Sequence, residues 1–439
     1  MIRRAFVIIA FLTSLTLGSE ATSQTTPSPA DLLTSLVEEL RAQNPILRQL
    51  RYEMAAAQQR IDPAGTLPNP TVTVGGMSVR RPVPGAELGR EEMAQQGISL
   101  VQGLPFPGKL RLSQEVARQE VAVRAARLRA VEVELIRQLK DRYYELAFLE
   151  RWREVLLQSQ RVLQVLQAGA QALYVTGQES QQSVLRVQSE LTRLQSELLD
   201  LERMRGEVIA QFNALLGRNP GRPWMVPVEL PPPVTGRAVA LEDDPELLPP
   251  ETTLYEWAQA RNPALQEVRA MLERDDRMVA RMRRDLYPDL VLMAGYFNRG
   301  GLPPLYEIRI GLELPVFFRR KEMPRIEEAL QMKAADEALL QARWLDVSQQ
   351  IRETYLQART AAQVWRLYQS TLLPQLRTTL DSGLATYRVG KLAFVQVLET
   401  WQALLAAEVE TARQLKAFHQ ARVRLEALVG SWADGPIGR

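Results

Sequence analysis

Few side chains in this sequence could carry covalent or metal chemistry. The 439 residues include one histidine (His419), twelve methionines and no cysteine. A lone histidine between Phe418 and Gln420 in a helical pattern is far more often a packing residue than a ligand or a base. Without cysteine there are no disulfides, thiolate metal sites or thiol nucleophiles. The methionines are scattered, as residues that fill packing gaps are. Neither a glycine-rich phosphate loop nor a Gly-x-Ser-x-Gly elbow occurs. The sequence therefore predicts no catalytic residue, no metal site and no cofactor. What remains is the chemistry of surfaces.

The charges set limits on those surfaces. Lys and Arg number 54 against 51 for Asp and Glu, a net charge of +3, with a pI near 9.1. They interleave along helices instead of forming a basic stripe, so nucleic-acid binding is not expected. The sharpest surface signal is Glu307 to Leu314, where Ile308, Ile310, Leu312 and Leu314 alternate with Glu307, Arg309, Gly311 and Glu313. A period of two marks a strand with one apolar and one polar face.

The elements that position this strand are long helices. Between Gly108 and Gly169 there is no proline or glycine. Leu128, Val131, Leu135, Leu139, Tyr143, Leu146 and Leu149 recur there at threes and fours, predicting a rod of roughly 90 Å. The rod is interrupted at Gly169 and at Tyr174 to Gln178. A second helix over 179–216 carries a seam of Val184, Val187, Leu191, Leu194, Leu198, Leu201, Met204 and Val208. Upstream, a helix over 31–61 contains Asn44-Pro45, which kinks it or marks where its regular part begins. A hairpin over about 70–104 follows, with a long exposed tip at 80–92. Residues 220–250 hold nine prolines and read as a linker.

The plan then recurs. Asn44-Pro45 returns as Asn262-Pro263, and the run from Tyr174 to Gln178 returns, at nearly the same offset, as Tyr387 to Lys391. Between them lie a helix over 253–285, a hairpin over 289–315 with its turn at 298–304, and a helix over 324–386 kinked at Pro374. A last helix runs to Leu428, its seam of Val397, Trp401, Leu404, Leu415, Phe418 and Leu425 broken by Glu408, Thr411 and Arg422. Matching landmarks at near-constant offsets indicate an internal duplication. The first repeat is placed at 22–219, the second at 251–432, and a tail at 433–439. Two short helices laid end to end would match one long rod in height.

At the N-terminus, Arg3 and Arg4 precede an apolar run from Ala5 to Leu17 and small residues near Ala21, the pattern of a signal peptide over 1–21. An N-terminal anchor helix is the other reading. No cysteine follows, so a lipid-anchored mature N-terminus is not expected. Each half offers one hairpin, about four strands in all, and four strands cannot close a transmembrane barrel. Either several chains share one barrel, or the hairpins are small soluble sheets capping a bundle.

Taken together, the duplicated order of helix, hairpin, long helix, glycine turn and helix resembles the TolC family of outer-membrane efflux proteins. So do Leu67-Pro68-Asn69-Pro70 and Tyr287-Pro288-Asp289 before the hairpins. Leu104-Pro105-Phe106-Pro107-Gly108-Lys109 and Leu314-Pro315-Val316-Phe317 resemble its heavy-metal (cobalt-zinc-cadmium or copper-silver) branch. The resemblance implies a mainly α fold with a small β part, assembled as a homotrimer. Twelve strands would form a barrel in outer-membrane lipid, continued by a periplasmic helical tunnel. It implies a passive duct for metal cations or small toxic compounds, fed by an inner-membrane pump of the resistance-nodulation-division type through a periplasmic adaptor. Tyr174, Thr176, Gly177, Tyr387, Val389 and Gly390 would form the adaptor-docking tips. Gln396 and Glu399, six and nine residues past the second tip glycine, would line the constriction. Gln396 departs from the acidic pattern the family often has there. Ile308, Ile310, Leu312 and Leu314 would face lipid. The competing expectation is a soluble periplasmic coiled-coil adaptor or scaffold.

Overall fold

A computed structural model describes residues 29–78, 83, 85, 87–224, 228–231, 248–389 and 391–430. The signal-peptide region, Gly390, the tail and most of the proline-rich linker lie outside the described residues.

The first repeat contains α1 (Pro29–Gln43), α2 (Pro45–Gln58) and the short α3 (Ile61–Gly65). Strands β1 (Thr71–Met77) and β2 (Gln95–Leu104) follow, then α4 (Lys109–Val175) and α5 (Gln181–Leu215). The second repeat contains α6 (Glu251–Arg261), α7 (Pro263–Arg284), β3 (Asp289–Arg299) and β4 (Leu302–Glu313). It closes with α8 (Glu322–Leu367), α9 (Leu373–Arg388) and α10 (Phe394–Leu428). Helices α5 and α10 are each 35 residues long, so Gln181 answers to Phe394 and Leu215 to Leu428.

The expected end-to-end stacking is present, with a specific joint. Asn44 caps α2 by accepting from Ile46 N (2.9 Å) and Leu47 N (3.2 Å), and its Nδ2 donates to Leu215 O at the end of α5 (2.8 Å). Asn262 repeats this, accepting from Leu265 N (3.0 Å) and donating to Leu428 O at the end of α10 (2.7 Å). Each asparagine satisfies orphan groups of two helix ends at once. The chain turns there on Gly217 and Gly430, at φ 69° and 75°. A Cβ at Gly217 would lie 2.8 Å from Gln43 O, and one at Gly430 would lie 2.5 Å from Arg261 O. The result is one layer: α2 stacked on α5, then α4, then α7 stacked on α10, then α8 with α9.

Several helices differ from expectation. The spans expected at 31–61 and 253–285 are each two helices, because the cap at Asn44 or Asn262 starts a new one. Gly169 does not interrupt α4, which runs 67 residues to Val175. Its missing side chain leaves room for the Tyr387 ring, 4.0 Å from where a Cβ would stand. The kink expected at Pro374 is a π-helical turn, Tyr368–Leu372, that bridges α8 and α9. Such a turn absorbs the hydrogen bond that proline cannot make.

The core follows the seams. Leu135, Leu139, Tyr143 and Leu146 of α4 are buried with Leu36 and Leu40 of α1 and with Trp224 and Val228. Leu254 and Ala258 of α6 pack with Ile351, Ala358, Phe418 and Leu425. A girdle thus covers the middle of the rods. Farther down, Val187, Leu194 and Leu201 of α5 join Leu156, Leu163 and Leu166 of α4 and Val397 and Trp401 of α10. The polar breaks in the α10 seam are each accommodated. Thr411 donates to Ala407 O (2.7 Å), Glu408 pairs with Arg377 (2.8 Å), and Arg422 lies 3.5 Å from Glu426.

Candidate functional site

Three regions carry the surfaces on which a duct would depend: the sheet, its junction with the helices, and the tips. The four strands form one antiparallel sheet in the order β1-β2-β3-β4, leaving β1 and β4 as edges. Val72, Leu100, Ala294 and Ile308 line up across it, as do Val74, Ile98, Tyr296 and Tyr306. Every one of these positions falls on the same face. Ile308 and Ile310 are 78% and 75% exposed, and Leu312 and Leu314 are exposed as well. The other face carries Thr73, Ser99, Gly295 and Glu307 in one row and Thr71, Val101, Met293 and Arg309 in the next.

Two boundaries here differ from the sequence reading. Pairing extends beyond the turn expected at 298–304, since β3 runs to Arg299 and β4 starts at Leu302. Pro303 and Pro304 fit because they sit at a register shift on an edge strand, where no ladder donor is required. Leu314 falls one residue past the end of β4.

Beneath the sheet, two sequence motifs meet. Asp289 Oδ1 accepts from Phe106 N (2.7 Å) and from Lys109 Nζ (2.8 Å). Lys109 Nζ also donates to Tyr287 O (3.1 Å), and the Phe106 and Tyr287 rings stack at 4.7 Å. The start of α4 is thereby tied to the start of β3, across the two repeats. Residue types alone did not reveal this contact, because its members lie about 180 residues apart.

At the first tip, Gly177 is left-handed at φ 72°. Gln178 N donates to Leu173 O (2.9 Å) and Gly177 N to Tyr174 O (3.0 Å), the two bonds of a Schellman cap. Tyr174, Val175 and Thr176 are exposed. In the second tip, Lys391 N donates to Thr386 O (3.1 Å), and Val389 is exposed. Tyr387 is only 3% exposed, so it supports its tip from within. It packs on Phe394, and burial, reinforced by Glu179, pushes its hydroxyl up to about 12.

Gln396 and Glu399 are brought onto one exposed face of α10, opposite the buried Phe394, Val397 and Trp401. They lie one turn apart, near the tip. His419 lies far up the same helix, buried in the girdle. It stacks on Tyr144 at 4.7 Å, and its Nε2 donates to Pro231 O at 2.7 Å. Burial lowers its pKa to about 4, so the ring is neutral and its proton is engaged. Among the described residues, no group of three His, Asp or Glu is arranged to hold a metal ion, and no helix is long and apolar enough to cross a membrane.

Comparison with known proteins agrees with this geometry. The sequence model of the outer membrane efflux protein family matches residues 36–218 and 254–431, one match for each repeat. No curated protein matches the chain. Among solved structures, the outer membrane protein VceC of Vibrio cholerae superposes with TM-score 0.74 at 17% identity, covering 91% of this chain and 96% of that one. The CmeC outer membrane channel of Campylobacter jejuni gives 0.72 at 13% identity, covering 98% and 94%. The open-state MtrE channel of Neisseria gonorrhoeae gives 0.72 at 14%, covering 91% and 89%. These likenesses show the fold, and the family match spans both repeats. The chain belongs to the outer membrane efflux protein family, the TolC-type channels.

Proposed function

We propose that three copies of this chain close a single twelve-stranded barrel in the outer membrane, continued by a tunnel of twelve helical rods. The observation that carries this reading is the sheet, with two unpaired edges and one face that is apolar through its middle rows except at Gln102, whose amide donates to Pro68 O and Gly103 O. In lipid, each unpaired backbone group costs several kcal/mol, so a four-stranded sheet must find partners. Pairing β4 of one copy with β1 of the next covers both edges over the 7 residues of β1. Strands β2, β3 and β4 have 10, 11 and 12 residues, the length a tilted transmembrane strand needs.

The duct is passive, with an inner-membrane pump of the resistance-nodulation-division type supplying the energy. A periplasmic adaptor docks at the tips, on Tyr174, Thr176 and Gly177 of one and Val389 and Gly390 of the other, with Tyr387 holding the second in shape. Gln396 and Glu399 line the entrance, where three Glu399 carboxylates favour cations over anions. The cargo is metal cations or small toxic compounds. The segment 1–21 acts as the export signal. The deciding experiment is the detergent-corrected mass of the protein extracted from outer membranes. A complex of about three chains is expected; a periplasmic monomer or dimer would end the proposal.

A further inference from the structure

Basic and aromatic side chains gather at one end of the sheet, where its strands meet the helices. The pairing of Asp289 with Glu313 places the start of β3 beside the end of β4. Arg283 and Arg284 come just before that point, and Arg319, Arg320, Lys321 and Arg325 just after it. Among the described residues, no ion pair engages Arg283, Arg284, Arg319, Arg320 or Arg325, and Lys321 approaches Glu322 only to 3.8 Å. The acidic groups at this end are engaged: Asp285 lies 3.0 Å from Arg281, Asp289 2.8 Å from Lys109 and Glu322 3.8 Å from Lys321. In sequence, the connections at the opposite end carry Arg80, Arg81, Arg90 and Arg299 with Glu87, Glu91 and Glu92, a mixture of both signs.

The same end displays apolar groups on an ordered turn. Phe318 N donates to Pro315 O (3.1 Å), Lys321 N to Phe317 O (3.1 Å) and Met323 N to Phe318 O (2.8 Å). This backbone holds Val316, Phe317 and Phe318 outward, with Phe317 73% exposed. The Arg319 guanidinium lies 5.9 Å from the Phe318 ring centre, and that of Arg284 lies 5.7 Å from Tyr287. The patch continues the apolar face of the sheet directly, since Leu312 and Leu314 lead into it. Water alone is a poor partner for such an arrangement. A boundary where hydrocarbon gives way to phosphate suits both halves of it.

We propose that this rim is a docking surface for anionic phospholipid of the periplasmic leaflet. Tyr287, Phe317 and Phe318 sit at the hydrocarbon boundary, while Arg283, Arg284, Arg319, Arg320 and Lys321 take the headgroup phosphates. The inference rests on the barrel reading above. It adds a preference for one headgroup class in one leaflet, which a barrel by itself does not require.

The test uses full-length protein reconstituted into phosphatidylethanolamine vesicles, alone or with cardiolipin. Lipid retained on the trimer is then measured by native mass spectrometry. Wild type should retain cardiolipin preferentially. Arg319→Gln/Arg320→Gln/Lys321→Gln and Arg283→Gln/Arg284→Gln should insert normally but lose that preference, roughly fivefold for each side chain neutralised. Insertion of wild type with no headgroup preference overturns the rim and leaves the barrel standing. Failure of wild type to insert into either vesicle overturns both. Loss of the trimer in the Gln variants, with lipid preference unchanged, would assign the patch to a neighbouring copy and overturn the proposal. Preferential retention of lipid A, tested in a parallel preparation, would overturn the choice of leaflet.

Discussion

Leu185 and Leu398 hold equivalent places in the two repeats, yet Leu185 is 53% exposed and Leu398 only 7%. Leu199 and Ala412 form a second such pair, one exposed and one buried. Helix α10 covers its side chains against α4, whereas α5 lies at the edge of the layer. In the proposed trimer, the rod of another copy would cover this face of α5. Leu185→Asp and Leu199→Asp should therefore leave the single chain folded and weaken its trimer. Leu398→Asp should unfold the lower rods of the chain itself. Circular dichroism together with detergent-corrected mass separates these outcomes. Full trimers in Leu185→Asp/Leu199→Asp would show that this face meets no copy.

Lys109 and Asp289 join the two repeats at the foot of the sheet. The lysine is almost fully buried and the carboxylate is partly exposed. Removing one partner of a fully buried pair costs about 3–5 kcal/mol, and the partial exposure of Asp289 lowers that figure here. Lys109→Met should lower the thermal midpoint of the trimer, and Lys109→Met/Asp289→Leu should recover part of the loss. Recovery tests the pairing itself, because a purely steric defect would persist in the double variant.

The sequence made the rods, seams and hairpins legible because period and punctuation are local properties. What stayed hidden was partnership. Tyr174 and Tyr387 belong to matching runs, but only Tyr387 is buried, because only it meets α4 of the same chain at Gly169. For the same reason Gly169 read as a break when it is a contact. The joints from Asn44 to Leu215 and from Asn262 to Leu428 span 171 and 166 residues, beyond the reach of any local pattern. Of the candidate site, the glycine of the first tip was readable from its type. The stacking of Phe106 on Tyr287 was not.

At Gly177 the proposed docking can be tested apart from folding. Nothing lies within 4 Å of where its Cβ would stand, so only its left-handed backbone resists substitution. Gly177→Ala should cost about 1 kcal/mol and keep both trimer and efflux. Gly177→Arg should keep the trimer but abolish efflux in cells, and bulky charged residues at Gly390 should do the same. Normal efflux in Gly177→Arg, measured by drug or metal susceptibility, would remove the first tip from the docking surface.

Glu399 is the one acidic side chain of the proposed entrance pair. Glu399→Ala should reduce cation preference in planar bilayers, and Gln396→Glu should increase it, since a second ring of carboxylates deepens the cation well. The readout is the reversal potential under a salt gradient. If both variants leave it unchanged, the constriction lies elsewhere on α10.

His419 should make the girdle sensitive to acid. Burial, the dominant cause, lowers its pKa from 6.5 to about 4, with Arg422 acting in the same direction and the bond to Pro231 opposing. The folded pKa is below the unfolded one, so above about pH 6.5 neither state holds the extra proton. As pH falls through that value the unfolded chain binds a proton that the folded chain refuses. Stability therefore declines down to about pH 4, by up to about 3 kcal/mol per chain. His419→Gln should retain a donor to Pro231 O while removing the titration. Chemical denaturation near pH 7.5 and again near pH 5 provides the comparison. Paired carboxylates also contribute to the acid sensitivity of both proteins, so the informative quantity is the difference between them. Wild type should lose more stability than His419→Gln over this interval. Equal losses would mean that the ring is already reached by water and protonates in the folded girdle.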